Sequence, residues 1–483
     1  MRGVHTVEEV RTAEQAVLRR IPARDLMLRA ATALTSTCAQ LLLSHRGGVY
    51  GASVVVLTGS GNNGGDALFS GSQLARRGAQ VKVVPVGADM HQSGAQEARR
   101  RGCQILSMTN AKAAIGEADL VVDGILGIGG KGGLREPAAA LAESATTSRA
   151  LVVAVDLPSG VDADTGLARD DAVWADVTVT FGLMKPGLLL QPGAMHCGLV
   201  DLADIGLGED AVVPSITSLD NQDVAGLLPH PTPLDNKYSS GVVGIVAGSA
   251  AYPGAAVLSV GGAINAKPGM VRFLGSAADD VVRAWPSAVV SKGSIEDLGR
   301  VQGWGVGPGI GTDDVAHNLL AEVLRQPAPV VVDADGLTLL ARSPELARPR
   351  VAPTVLTPHA GEFARLAPDL DVDQNPITAV RTLAARMRCT VLLKGATTIV
   401  ADADGQVRLN VTGTPWLATG GTGDVLTGLI AALLAAGLGG LDAASVGAYV
   451  HGLAGRIATQ GAPTTSEMVA RAIPEAIRTV MSP

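Results

Sequence analysis

The sequence predicts an α/β protein of two successive domains, each a parallel sheet covered by helices on both faces. Three observations carry this expectation. Short β-branched runs alternate with helical segments in both halves of the chain, and strands separated by helices pair in parallel. At 483 residues the chain exceeds what one hydrophobic core supports. Around residues 205–235 the alternation stops in a stretch rich in Pro, Asp and Gly, which has a linker's composition and sets the expected domains at 1–212 and 213–483.

Thr6 and Glu9 form a T-x-x-E capping-box pattern that opens an amphipathic helical region, continued by LMLRAATALTSTCAQLLL at 26–43. The strands that follow are SVVVL (53–57), QVKVVPV (80–86), LVVD (120–123), LVVAVD (151–156) and DVTVTF (176–181), each ended by glycine or a polar turn. Beyond the linker, VVGIVAGS (242–249), VVVDADG (330–336), TVLTPHAGE (354–362) and TVLLKGATTIVA (390–401) continue the series. VLTGLIAALLAAGLGGL at 425–441 carries no charge; it is short for a membrane span, holds four glycines and runs into Asp442, so it reads as a core helix.

Composition narrows the function. A formal charge of −7 and a pI near 5.7 disfavour a nucleic-acid partner, and the densest basic run, Arg99–Arg101, reads as a solvated helix end. Cys38, Cys103, Cys197 and Cys389 are too scattered for a disulfide framework or a zinc site. With no apolar signal segment at the N-terminus, a cytoplasmic protein that makes no use of a membrane is expected.

Three strand ends in the first half carry chemistry. In SVVVLTGSGNNGGDA, Gly59, Gly61 and Gly64 satisfy GxGxxG, but the next strand ends in Pro85 rather than in the acid a dinucleotide fold uses for the ribose. The added signal is Asn62, Asn63 and Asp66, whose amides and carboxylate can coordinate a cation or bond a sugar. VVDGILGIGGKGGL puts Asp123 before a chain of glycines, and VVAVDLPSGVDADTG puts Asp156 and Ser159 at the next strand end. The carboxyl ends of parallel strands share one edge, so Asn63, Asp123, Asp156 and Ser159 should converge, although any one Asp alone reads as a helix N-cap.

In the second half, ATGGTGDVLTG places Gly420, Gly421 and Gly423 where backbone N–H groups can approach an oxyanion at a helix N-terminus, with Asp424 ready to take a proton from a hydroxyl. Lys394 follows a strand, and no GxxxxGK[ST] occurs, which excludes a P-loop ATPase. His359 alone reads equally well as a buried, satisfied histidine. Gly307 and Gly309 in GVGPGIG allow close ligand approach.

GSGNNGGD, VVDGILGIGGKG and VDLPSGVDADTG, in order over about residues 5–210, resemble the NAD(P)H-hydrate epimerase domain, a Rossmann-like, doubly wound, three-layer fold. NKYSSGVVGIVAGS, GVGPGIG, DADGL, TPHAGEFARL, LLKGATT and ATGGTGDVLTG, over about 235–480, resemble the ADP/ATP-dependent NAD(P)H-hydrate dehydratase domain, a ribokinase-like fold. The resemblance implies that Asn63, Asp123 and Ser159 bind K+. It also implies that Asn62, Asn63, Gly64, Gly65, Asp66, Gly127, Ile128, Gly129, Gly130, Lys131, Gly132, Gly133 and Asp156 contact the hydrated nucleotide, with Asp156 the acid/base. Ala67 stands where that family shows glycine, and its methyl is expected to crowd the ligand.

For the dehydratase, the resemblance implies hydrate contacts from Ala256, Gly309, His359 and Asp424, with Asp424 the base. It assigns the nucleotide to Lys394, Gly395, Ala396, Thr397, Thr398, Gly420, Gly421, Thr422 and Gly423, and gives Mg2+ water-mediated help from Asp333 and Glu362. The implied partners are hydrated NADH and NADPH, and ADP or ATP as co-substrate; the implied assembly is a homo-oligomer, a tetramer by the family's habit. The GGTGD site alone also serves a ribokinase-like small-molecule kinase, fused here to a non-catalytic ligand-binding or interaction domain.

Overall fold

The computed structural model describes residues 1–482 apart from 88, 209–211, 267, 348 and 349. The chain divides into two compact units, Gly3–Ser215 and Ile216–Pro483 together with Met1–Arg2. The division lies a few residues beyond the one expected at 212/213, and the first two residues join the second unit.

In the N-terminal unit, seven strands run in the spatial order Gln104–Ile105, Gln80–Pro85, Ser53–Thr58, Leu120–Gly124, Leu151–Val155, Val177–Phe181 and Leu199–Ala203. All neighbours pair in parallel. Leu120–Gly124 and Val177–Phe181 are buried at every position, which is why they read as continuous apolar runs rather than alternating ones. The order reverses between Ser53–Thr58 and Leu120–Gly124, so the crevice at their carboxyl ends is the topological switch point of a doubly wound sheet.

The capping box at Thr6 forms: Glu9 N–H donates to Thr6 Oγ1 and Glu9 accepts from Thr6 N–H. Helix Ala23–Arg46 is long and apolar enough for a membrane by length and composition alone. Its face of Leu26, Ala30, Leu34, Cys38 and Leu42 is spent on the core beneath it, with Val54, Val56 and Leu68.

The second unit carries an eleven-stranded sheet. Its parallel centre runs Thr390–Leu393, Thr354–Leu356, Val330–Val332, Gly303–Val306, Val242–Val246, Met270–Leu274 and Val289–Ser291. The run 390–401 is an antiparallel hairpin of Thr390–Leu393, the strand that Lys394 was expected to follow, and Thr398–Ala401, extended antiparallel by Val407–Asn410. Gly395 and Ala396 break the β-branched pattern and take the exposed turn.

The uncharged stretch forms a buried helix, Thr422–Ala435, which stops at Gly437; a second helix, Gly440–Thr459, takes up the rest. It packs against helix Pro253–Asn265 so closely that a Cβ on Gly428 would lie 1.9 Å from the Ser259 carbonyl oxygen, and one on Gly262 2.1 Å from that of Val425. Gly428→Ala should therefore force the helices apart and destabilise this unit by about 3 kcal/mol, read as a lower urea midpoint.

Candidate active sites

The N-terminal unit holds a cavity of about 740 Å³ at its switch point, lined by Asn62, Asn63, Asp66, Gly127, Ile128, Gly129, Gly130 and Asp156 among others. Of the remaining expected contacts, Gly64 and Gly65 lie in the first turn of the helix behind the loop, and Lys131 and Gly132 are exposed. Gly133 faces the Asp171 carboxylate, and these five residues are not part of the lining. Ala67 does not crowd the cavity either: it is fully buried, its methyl packed against Gly124 at the end of the neighbouring strand.

Asp123, Ser159 and Asn63 meet at the end of strand Leu120–Gly124. Ser159 donates to Asp123 through its N–H at 2.8 Å and its Oγ at 2.6 Å, and Asn63 Nδ2 donates to the Leu126 carbonyl at 2.8 Å. Asp123 is completely buried, and burial pushes its carboxyl up to about 6 against the opposing pull of these neutral donors. An oxygen-rich cluster with one formal charge matches a monovalent cation better than a transition metal.

Asp156 ends strand Leu151–Val155 with φ at +66°, a left-handed backbone that a non-glycine residue seldom adopts. Its Oδ1 accepts from Lys185 Nζ at 2.6 Å, Thr180 Oγ1 at 3.1 Å and Phe181 N–H at 3.2 Å. Sequence reasoning missed Lys185, although it is the lone charge in VTVTFGLMKPGLLL, a signal in itself. It also missed Glu14 and Arg11, which helix Val7–Leu18 brings to the cavity.

In the C-terminal unit, the expected residues gather around one buried carboxylate. Asp333 follows strand Val330–Val332; its Oδ1 is 2.7 Å from Lys394 Nζ and its Oδ2 accepts from Thr427 Oγ1 at 2.8 Å. Lys394 Nζ also lies 3.6 Å from Glu362. Burial works against the ammonium, but the charges of Asp333 and Glu362 outweigh it and hold the lysine above its ordinary value. A Cβ on Gly423 would sit within 3.6 Å of both Lys394 Nζ and Asp333 Oδ2, so the GGTGD turn joins the same cluster.

Gly421 is the N-cap of helix Thr422–Ala435, with φ at +88°, a conformation that suits glycine. No side chain caps this end, which leaves first-turn N–H groups for an anion. Asp424 lies in that turn. Burial, reinforced by the charge of Asp333, pushes its carboxyl up to about 7. His451, buried on helix Gly440–Thr459, bonds the backbone at Thr422, and burial pushes its imidazole down to about 4, so it is neutral under the turn.

His359 is not a buried histidine: its side chain is 56% exposed. It caps helix Ala360–Leu366, with Nδ1 accepting from Gly361 N–H at 3.0 Å. Ala256 is fully buried against Gly248, because its helix turns that side to the core, and so it offers no surface to a hydrate. Gly309 faces Tyr252 and Ala255 of the same helix start. Gly395–Thr397 occupy the hairpin turn that follows Lys394, and Thr398 begins its return strand.

Asp333 and Glu362 are already partnered by Lys394, and no group of three or more ligating side chains converges on a metal point among the described residues. A divalent ion enclosed by protein ligands does not fit here. One carried on nucleotide phosphates with its waters does, since Mg2+ needs few protein contacts.

Two family profiles match the chain: one described as "YjeF-related protein N-terminus" over residues 23–187, and one described as NAD(P)H-hydrate dehydratase over 243–478. The bifunctional NAD(P)H-hydrate repair enzyme Nnr of Mycobacterium leprae is 47% identical over 452 residues, covering 93% of this chain and 93% of that protein. The Corynebacterium glutamicum enzyme of the same name is 36% identical, covering 99% and 98%. The crystal structure of the ADP/ATP-dependent NAD(P)H-hydrate dehydratase of Bacillus subtilis, co-crystallised with ATP/Mg2+, matches with 25% identity and a TM-score of 0.50, covering 55% of this chain and 98% of its own. A ribokinase-like protein of Enterococcus faecalis, 24% identical with a TM-score of 0.51 over 56% and 98%, shares the fold. Similar to such relatives along nearly its whole length, the chain belongs to the family of bifunctional NAD(P)H-hydrate repair enzymes.

Proposed function

We propose that this chain repairs hydrated NADH and NADPH in two steps. The N-terminal unit interconverts the R and S hydrates at C6 of the nicotinamide ring, and the C-terminal unit dehydrates the S hydrate at the expense of ADP or ATP. Water added across C5–C6 leaves a ring that no longer donates hydride; removing it restores the cofactor.

The observation that carries the second step is Asp424, poised near neutrality at an uncapped helix N-terminus beside Lys394. A base in that range takes the C6 hydroxyl proton as the oxygen attacks the terminal phosphorus, while the bond to the nucleotide leaving group breaks. Phosphate then departs from C6 with the bonding electrons, the C5 proton passes to solvent water, and the electrons of the C5–H bond re-form the double bond. The free N–H groups of the first turn hold charge on the transferring phosphoryl group. Lys394 and the turn at Gly395–Thr398 are assigned to the nucleotide, and His359, on the exposed rim, to the nicotinamide. Mg2+ carried on the nucleotide would neutralise phosphate charge, and Asp333 and Glu362 are the residues that would help hold it, through water.

For the first step, Asn63, Asp123 and Ser159 are assigned to K+, which when bound fixes the loop that lines the cavity. Replacing K+ by a bulky organic cation should slow epimerisation and leave S-hydrate consumption by the other unit unchanged; an equal rate in potassium-free buffer would make the cluster purely structural. We carry the homo-oligomer, a tetramer, as part of this reading, to be checked by light scattering, together with a cytoplasmic setting that keeps the four buried thiols reduced.

The test of the whole reading is the product. With ADP and hydrated NADH the protein should regain the dihydronicotinamide absorbance and release AMP and phosphate. A small-molecule kinase would instead release a stable phosphorylated product.

A further inference from the structure

The cavity of the N-terminal unit gathers three carboxyl groups, Glu14, Asp66 and Asp156, and treats them unequally. Asp156 Oδ1 accepts at 2.6 Å from Lys185 Nζ, a side chain only 1% exposed that also donates to Thr180 Oγ1 at 2.8 Å and to the Phe181 carbonyl at 3.1 Å. Asp66 is also buried, yet its Oδ1 has no hydrogen-bond partner. The charges acting on it are the like charges of Asp156 and Glu14, and burial together with these raises its carboxyl well above the usual range. The other charged or titratable groups on the cavity wall are Arg11, Arg24 and His91.

Resting on the epimerase reading above, we propose that Asp66 is the proton donor and Asp156 the proton acceptor of C6 epimerisation, with Lys185 the positioning residue that holds the Asp156 carboxyl for its part. The Asp66 proton passes to the C6 hydroxyl, the C6–O bond breaks and water leaves with its electron pair, while the N1 lone pair forms an N1=C6 iminium. Water then adds to the opposite face of C6, the iminium electrons return to N1, and the proton released by that water goes to Asp156. One water leaves, one enters, and one proton moves from Asp66 to Asp156. The form so produced runs the reaction in the reverse sense, or exchanges with solvent to reset. A proton donor on the cavity wall whose buried Oδ1 has no hydrogen-bond partner, and an acceptor tied to a buried lysine, are the two environments such a division needs.

The full-length protein is incubated with one purified hydrate epimer in ¹⁸O-labelled water without ADP, and the epimers are separated and weighed. The account expects each epimerisation to place solvent oxygen at C6, a result that depends on no variant folding. Asp66→Asn should lower the rate by about 10²-fold or more. Lys185→Met should lower it and also move the acid limb of the rate profile to higher pH, which a merely structural lysine would not do. Retention of the original oxygen would overturn the proposal in favour of ring opening at N1–C6, and Asp66→Asn within about threefold of wild type would overturn it as well. A wild-type protein that does not epimerise at all would instead remove the epimerase reading beneath it.

Discussion

Asp424→Asn leaves the C-terminal unit folded and nucleotide binding intact, and lowers dehydration of the S hydrate by about 10²–10⁴-fold. The amide keeps the shape of the carboxylate while losing the lone pairs that accept the hydroxyl proton. Its effect on stability is expected to be small or favourable, because the wild-type carboxyl is buried among like charges, Asp333 foremost. The same environment sets the pH dependence. Burial first, then Asp333, raises Asp424 to about 7, so the base is largely protonated in mild acid and kcat/KM for the hydrate should climb through neutrality and level off above it. In Asp424→Asn that limb should disappear from the residual rate. A mutant within about threefold of wild type, or one that keeps the limb, would place the base elsewhere.

Lys394→Met has the second large effect, and it falls on stability as well as turnover. The ammonium lies 2.7 Å from Asp333 and 3.6 Å from Glu362, and the side chains of those acids are only 2% and 7% exposed. Removing one partner of a buried ion pair strands the other, at a cost of about 3–5 kcal/mol. Differential scanning calorimetry should show a lower melting transition for the C-terminal unit. The double change Lys394→Met with Asp333→Asn should recover part of the loss, since it removes the stranded charge along with its partner. Nucleotide turnover should stay low in both variants. An unchanged melting temperature in the single variant would mean that solvent already screens the pair.

The parallel alternation let the first site be drawn from sequence: once Ser53–Thr58, Leu120–Gly124 and Leu151–Val155 are neighbours in register, Asn63, Asp123, Asp156 and Ser159 have to meet at one edge. What stayed hidden was long-range or depended on direction. Lys185 reaches Asp156 from 29 positions away, and only the fold says that this lysine is buried rather than solvated. Ala67 was misjudged because spacing along a helix does not say which side faces the ligand, and here that side meets Gly124. The side of its helix on which Ala256 stands is hidden in the same way, and here it faces the core beside Gly248. The return strand of the 390–401 hairpin is hidden because β-branched residues stand on both sides of a short turn, and in Met270–Leu274, Val289–Ser291 and Gly303–Val306 the β-branched pattern is interrupted by Arg272, Ser291 and two glycines. The uncharged helix and its glycine-opened N-terminus were legible because a charge-free run bounded by glycines has few other uses in a globular chain.

The central claim is that one chain performs both steps, and a mixture of the two hydrates tests it most directly. Full-length protein with K+, Mg2+ and ADP is given R and S NADH hydrate under conditions where spontaneous epimerisation is negligible, and both hydrates, NADH and AMP are followed by chromatography. The account predicts that both epimers are consumed to completion, with one AMP and one phosphate formed per NADH regained. Persistence of the R hydrate after the S hydrate is gone, or accumulation of a phosphorylated hydrate without NADH, would contradict it.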